Sequence, residues 1–152
     1  MTTIPESFAR FGYTLALVER TLTAVLEDHL AERGTDTGTW YALQVLTMRG
    51  PRADRAALTA ELATSRKLNA GLAAELLARL EADGLISGGS EVSLTPEGRS
   101  LHRVLAEYVA VPRIRLLSQF DPDDIDTTVR TMQAIADRAA EESKPRTGAA
   151  SR

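Results

Sequence analysis

The chain has 152 residues, 43% of them hydrophobic and 26% charged, and carries a formal net charge of -3. A chain of this size buries roughly two-thirds of the surface it exposes when unfolded, enough for one ordinary core, and its composition excludes wholesale disorder. It has no cysteine, which excludes disulfides, thiolate zinc sites, iron–sulfur clusters and a cysteine nucleophile. No run approaches the length of an apolar span, and Met1-Thr2-Thr3-Ile4-Pro5-Glu6 has neither a basic start nor an apolar core. The expectation is therefore no membrane span, no signal peptide and a cytoplasmic address.

Pro5 reads as part of the first turn of a first helix, where its missing N–H is harmless. Phe8, Phe11, Leu15, Val18, Leu22, Val25 and His29 then recur at alternating spacings of three and four, the seam of a coiled-coil-like helix. Leu26 and Leu30 widen this stripe, and Gly34 is a stop signal. So long an apolar stripe predicts a partner beyond the chain's own core.

A second helix follows with Trp40, Leu43, Val45 and Leu46, ending near Gly50-Pro51. Asp54 reads as the N-cap of a third helix whose Leu58 and Leu62 share a face, and Asn69 as the cap of a fourth, which buries Leu72, Leu76, Leu77 and Leu80 and stops at Gly84. Leu85-Ile86-Ser87, Gly88-Gly89 and Ser90-Glu91-Val92-Ser93-Leu94 predict a short β-hairpin with a glycine turn. Thr95-Pro96 opens a fifth helix with Leu101, Leu105, Tyr108 and Val109 on its apolar face, and Pro112 is expected to kink or split it. Asp121-Pro122-Asp123-Asp124 starts a last helix, with Ile125, Val129, Met132, Ala136 and Ala139 as its stripe. Residues 143–152 read as a disordered tail.

Between Arg49 and Arg79 six basic residues (Arg49, Arg52, Arg55, Arg66, Lys67 and Arg79) stand against three acids (Asp54, Glu61 and Glu75). A basic island in an acidic chain reads equally as a polyanion-binding surface or as a solvated helix face.

Two short helices joined by a turn and followed by a hairpin form a winged helix-turn-helix, so the predicted fold is mainly α with long N- and C-terminal helices around that lobe. Glu61-Leu62-Ala63, Leu80-Glu81-Ala82-Asp83-Gly84-Leu85-Ile86 and Leu94-Thr95-Pro96-Glu97-Gly98 together resemble the e-L-A, L-E-x-x-G-L-I and L-T-x-x-G strings of the MarR family of transcription regulators. The resemblance covers about residues 8–142. It implies a single MarR-like domain over 1–142, with dimerisation helices at about 5–33 and 96–142 and a winged-helix lobe at about 37–95. It also implies a homodimer that lays its fourth helix in a major groove of duplex DNA. Small aromatic ligands would bind between the dimer helices and the reading lobe.

Two stretches depart from the family pattern. The family's reading helix presents Ser, Thr, Arg or Gln, whereas this one runs Asn69-Ala70-Gly71-Leu72-Ala73-Ala74-Glu75; only Asn69 is of a type that reads a base edge. The wing is short and carries no basic residue where the family has an Asp-Arg-Arg-type segment. DNA contact is therefore expected from Arg49, Arg52, Arg55, Arg66 and Lys67 on phosphates, with Asn69 as the candidate base reader.

Every Tyr, Trp and His in the chain lies on the first, second or fifth helix: Tyr13, His29, Trp40, Tyr41, His102 and Tyr108. By the resemblance these helices border the ligand cavity, and rings with polar tips suit an aromatic ligand. Each residue also has a plain packing role open to it, Trp40 as core filling and His29 at a dimer seam. No nucleophile elbow, phosphate loop or metal-ligand pattern occurs, and no cofactor is expected. The leading reading is a ligand-responsive regulator. The alternative is the same scaffold without specific DNA binding, acting as a small-molecule binder or as an enzyme that uses His29 or His102 for acid–base chemistry on a small aromatic or polyketide-like substrate.

Overall fold

A computed structural model describes residues 3–65 and 68–145. Its elements run α1 (Glu6–Ala31), α2 (Thr37–Arg49), β1 (Ala53–Asp54), α3 (Arg55–Ser65), α4 (Ala70–Ala82), β2 (Ile86–Gly88), β3 (Glu91–Leu94), α5 (Pro96–Leu117) and α6 (Pro122–Ser143). The chain divides into two compact units between Val109 and Ala110. No described helix is long and apolar enough to cross a membrane.

Short polar side chains set the helix starts, because each supplies an acceptor to an otherwise unpaired first-turn N–H. The Asp36 carboxylate accepts from Thr39 N at 2.8 Å, Asp54 from Ala57 N at 2.9 Å and Asn69 Oδ1 from Leu72 N at 2.8 Å. Asp121 does the same for Asp123 N at 2.8 Å. Pro5 falls one position earlier than expected. It is the N-cap of α1, with extended backbone at φ -55° and ψ 143°, and its carbonyl accepts from Phe8 N and Ala9 N.

The first unit has two apolar clusters. One knits α2, α3, α4 and the sheet together through Leu46, Leu58, Leu62, Leu77, Leu80 and Val92. The other joins α1, α2 and α5 through Leu30, Trp40, Leu43, Leu105 and Val109. Leu72, expected in the core, is instead exposed, while Ala73 one position on is fully buried. The inward stripe of α4 is thus Ala73, Leu76, Leu77 and Leu80, a spacing of three, one and three.

The wing has a third strand that alternation could not reveal at two residues' length. The sheet order is β1-β3-β2, all antiparallel, with Ala53 opposite Val92 and Ile86 opposite Leu94. Gly88 sits at φ +127°, and a Cβ there would collide with the Glu91 carbonyl. At the base of the wing the Thr95 hydroxyl donates to the Gly84 carbonyl at 2.5 Å and accepts from Gly98 N at 3.0 Å. A Cβ on Gly98 would meet the Leu85 carbonyl oxygen. The Leu-Thr-x-x-Gly string is therefore a joint, with Thr95 capping α5 and Gly98 allowing α5 to lie against the end of the α4–β2 turn.

α1 buries only Leu30. Its seam residues Phe8, Phe11, Leu15, Val18, Leu22 and Val25 are between 41% and 72% exposed. In the second unit α5 continues through Pro112 to Leu117 without a break. α6 buries nothing, leaving Val129, Met132 and Ile135 exposed on its stripe. It ends at Ser143, the first residue of the expected tail, and positions 146–152 of that tail lie outside the described residues.

Candidate functional site

The outer face of α4 is chemically sparse. Ala70, Gly71, Leu72, Ala74, Glu75 and Ala78 are all exposed, which leaves methyls, one larger apolar side chain and a carboxylate where base-reading donors would stand. Asn69 has its carbonyl oxygen engaged in capping Leu72 N, so its amide NH2 alone is available outward.

The described arginines of the basic island are each held by an acid. Arg49 forks onto Glu61 through Nε, at 2.6 Å, and through Nη2. Arg52 approaches Glu91 at 3.9 Å. Arg79 reaches the capping carboxylate of Asp36 at 3.1 Å. Arg55 is the most engaged: Nε donates to the Gly89 carbonyl at 2.7 Å, and Nη2 donates to the Gly88 carbonyl at 3.0 Å and to Glu81 at 3.2 Å. It clamps the wing tip to the end of α4. Glu81, Glu91 and Asp36 lie outside or far along the chain from their partners, so residue counting in one window could not reveal this pairing. Arg66 and Lys67 lie outside the described residues.

Four of the six aromatic and imidazole residues form two stacked pairs. His29 stacks on Tyr108 with ring centroids 3.8 Å apart and planes 8° off parallel. Its Nε2 lies 2.8 Å from the Tyr108 carbonyl oxygen, and the Tyr108 hydroxyl donates to the His29 carbonyl at 2.7 Å. Arg33 covers the Tyr108 ring, 4.5 Å from its centroid. Burial of the ring, then the Glu32 carboxylate beside its hydroxyl, raises the Tyr108 phenol above its ordinary pKa, with Arg33 opposing. Trp40 stacks on His102 at 5.5 Å with planes 6° apart, and His102 Nε2 lies 2.8 Å from Gln44 Oε1. Burial lowers the His102 pKa, which favours the neutral imidazole. Tyr41 packs half-buried against the α1–α2–α5 cluster. Tyr13 is 70% exposed and lies about 24 Å along α1 from His29 at the helical rise.

The meeting of α1, α2 and α5 is filled by its own side chains. The open concavity lies elsewhere, between the end of α2, β3 and α5. It is a groove of about 730 Å³ lined by Leu46, Thr47, Gly50, Pro51, Ser93, Leu94, Arg99, His102, Arg103 and Ala106. Arg99 and Arg103 were not singled out from sequence. The signal was present: Arg99, His102 and Arg103 occupy i, i+3 and i+4 of one helix and therefore share a face. A shallower depression of about 510 Å³ runs along α5 alone and has no opposing wall.

No family model and no curated protein matches the sequence. Solved structures do match in shape. AbsC, a MarR family transcriptional regulator from Streptomyces coelicolor, superposes with a TM-score of 0.70 at 20% identity, covering 93% of this chain and 99% of that one. A Mycobacterium tuberculosis MarR family protein in complex with DNA gives 0.68 at 21% identity, over 88% of this chain and 98% of its own. A Staphylococcus aureus MarR in complex with salicylate and kanamycin gives 0.74 at 18% identity, over 91% and 96%. With the helix order, the three-stranded wing and the Thr95–Gly98 joint, these likenesses identify the fold of this chain as the winged helix-turn-helix fold of the MarR regulators.

Proposed function

We propose that the protein is a homodimeric, ligand-responsive regulator that binds duplex DNA through α3, α4 and the wing. The observation that carries this reading is the lobe itself: two short capped helices and a sheet, in the fold of a mycobacterial protein solved on DNA. The exposed seams of α1 and α6 support a dimer, because apolar surface of this extent is stabilised by covering it. Arg49, Arg52, Arg55, Arg66 and Lys67 are the phosphate contacts in this reading and Asn69 the base contact. A small ligand, of the kind seen in the salicylate complex of the staphylococcal structure, acts in this reading by binding the DNA-competent and incompetent arrangements with different affinity.

The test is fluorescence anisotropy with labelled random-sequence duplex across a salt series. Ten phosphate contacts per dimer predict a log–log slope near about -9. The described arginines must first leave their carboxylates, so the expected slope is shallower. Absence of binding at low salt would overturn the regulator reading.

One observation favours a second reading. α4 presents alanine, glycine and a carboxylate outward, and each described arginine of the island is already ion-paired. On that reading the same scaffold lacks sequence readout and serves as a small-molecule binder or an acid–base enzyme. With Gln44 Oε1 accepting from its Nε2–H, His102 keeps Nδ1 as a free basic nitrogen. Retained ligand binding without any DNA affinity is the outcome that selects it.

A further inference from the structure

The winged-helix lobe, residues 37–95, carries six basic and six acidic residues. Its formal charge is zero, although sequence-independent affinity for duplex DNA comes almost entirely from basic charge. The cancellation is local as well. Arg49, at the end of α2, donates through Nε, at 2.6 Å, and through Nη2 to a single carboxylate oxygen of Glu61 on α3. Arg52 stands 3.9 Å from Glu91 at the start of β3. Arg55 and Arg79 are ion-paired too, but they also tie the fold together, at the wing tip and at the cap of α2. The first two pairs lie in the open: Arg52 and Glu91 are more than half exposed, and Arg49 and Glu61 about a third or more. Pairs of this kind contribute little to stability. Their main effect is to occupy the guanidinium and cancel its field.

We infer that Glu61 and Glu91 are intramolecular competitors of DNA phosphate, which hold Arg49 and Arg52 back from sequence-independent contact and so set the selectivity of the lobe. The Nε–Nη2 edge of a guanidinium is one that grips a phosphate bidentately, and in Arg49 that edge is filled by Glu61. A phosphate takes it only by displacing the carboxylate. The displaced acid then stands within a screening length of the phosphate and repels it. Loose contact with arbitrary duplex does not offset that exchange, whereas a site whose shape holds several phosphates in register does. The lobe therefore has a low background affinity. Its salt dependence is shallow, because cations gathering on the freed carboxylates partly replace those released from the DNA. This deepens the DNA-binding part of the proposed function and rests on it.

The experiment compares the wild-type chain with Glu61→Gln/Glu91→Gln by fluorescence anisotropy on labelled random-sequence duplex across a salt series. Glutamine keeps the side-chain shape and removes the charge. Both arginines of each subunit are freed, so the log–log slope is expected to steepen by about 2–4 in a dimer, and low-salt affinity to rise at least about tenfold. Thermal melting should be unchanged, as both pairs are exposed. Each single substitution should give part of the rise. Adding Arg49→Gln and Arg52→Gln to the double variant should abolish it. Glu141→Gln/Glu142→Gln on α6 removes the same charge from exposed positions outside the lobe, and should change affinity less than about twofold. Wild-type affinity and slope in the double variant, or an equal gain in the α6 control, would overturn the competitor role and leave the DNA reading in place. No duplex binding by any of these proteins would overturn the DNA reading and the competitor role with it.

Discussion

His29 and Tyr108, 79 positions apart in the chain, hold each other by reciprocal hydrogen bonds: Nε2 of the histidine to the tyrosine carbonyl at 2.8 Å, and the tyrosine hydroxyl to the histidine carbonyl at 2.7 Å. The reason lies four residues past the tyrosine. Pro112 has no N–H to offer the Tyr108 carbonyl, so a helix running through it leaves that carbonyl without its normal partner. A carbonyl only accepts, which makes Nε2 the protonated nitrogen of His29. The histidine thus completes the hydrogen bonding that the proline interrupts, while its ring packs on the tyrosine.

Removing it should be felt. His29→Ala is expected to destabilise the protein by about 1–3 kcal/mol, because it strands a part-buried carbonyl. In a Pro112→Ala background the helix regains its own donor, so the same substitution should be milder. A double-mutant cycle by urea denaturation at fixed protein concentration measures the difference. Equal losses in both backgrounds would show that proline and histidine are uncoupled.

His102 predicts a pH dependence. Burial lowers its folded-state pKa below the unfolded value of about 6.5. Between the two values the unfolded chain binds more protons, so stability rises with pH there and falls as acid is added. The loss begins as pH drops below about 6.5 and is complete once the folded-state imidazole is itself protonated. His102→Gln is expected to flatten the thermal-melting profile in that window. A wild-type profile that is level or rises toward acid would contradict the assignment.

Arg55 and Arg52 are three residues apart yet should behave differently. Arg55 holds both carbonyls of the Gly88-Gly89 turn and reaches Glu81, whereas Arg52 makes one long contact to Glu91 from a side chain 78% exposed. Arg55→Ala is expected to cost about 1–2 kcal/mol and to speed amide exchange in β2 and β3. Arg52→Ala should stay within about 0.5 kcal/mol of wild type. Hydrogen exchange by mass spectrometry separates the two, and equal protection of the wing in both variants would remove the clamp role.

These residues mark the boundary of what was legible in the sequence. The caps at Asp54 and Asn69, the hairpin and the α1 seam were readable because each is a local pattern of a few residues. The Leu-Thr-x-x-Gly string was recognisable, but its reason, a glycine that must pass the Leu85 carbonyl, is a tertiary contact. The pairs His29–Tyr108, Trp40–His102 and Arg79–Asp36 join segments dozens of residues apart, and periodicity within one helix carries no information about them. The same holds for the groove, whose walls come from α2, β3 and α5.

The seam of α1 yields the remaining prediction. Leu15, Val18 and Leu22 lie mid-helix on one face, each 44–47% exposed, and none contributes to a buried cluster of the chain. If a second copy covers them, each aliphatic side chain, already about half covered, contributes about 1 kcal/mol more on burial. A two-fold interface contains every substitution twice. Val18→Glu should therefore weaken association by at least roughly 2 kcal/mol, more than about one order of magnitude in the dissociation constant. Because Val18 lies outside the core, the monomer should keep its far-ultraviolet helicity and the Trp40–His102 stack. Sedimentation velocity across a concentration series reads this directly. A wild-type chain that sediments as a monomer at all concentrations would overturn the dimer, and a Val18→Glu variant that associates like wild type would place the dimer contact elsewhere than on this seam.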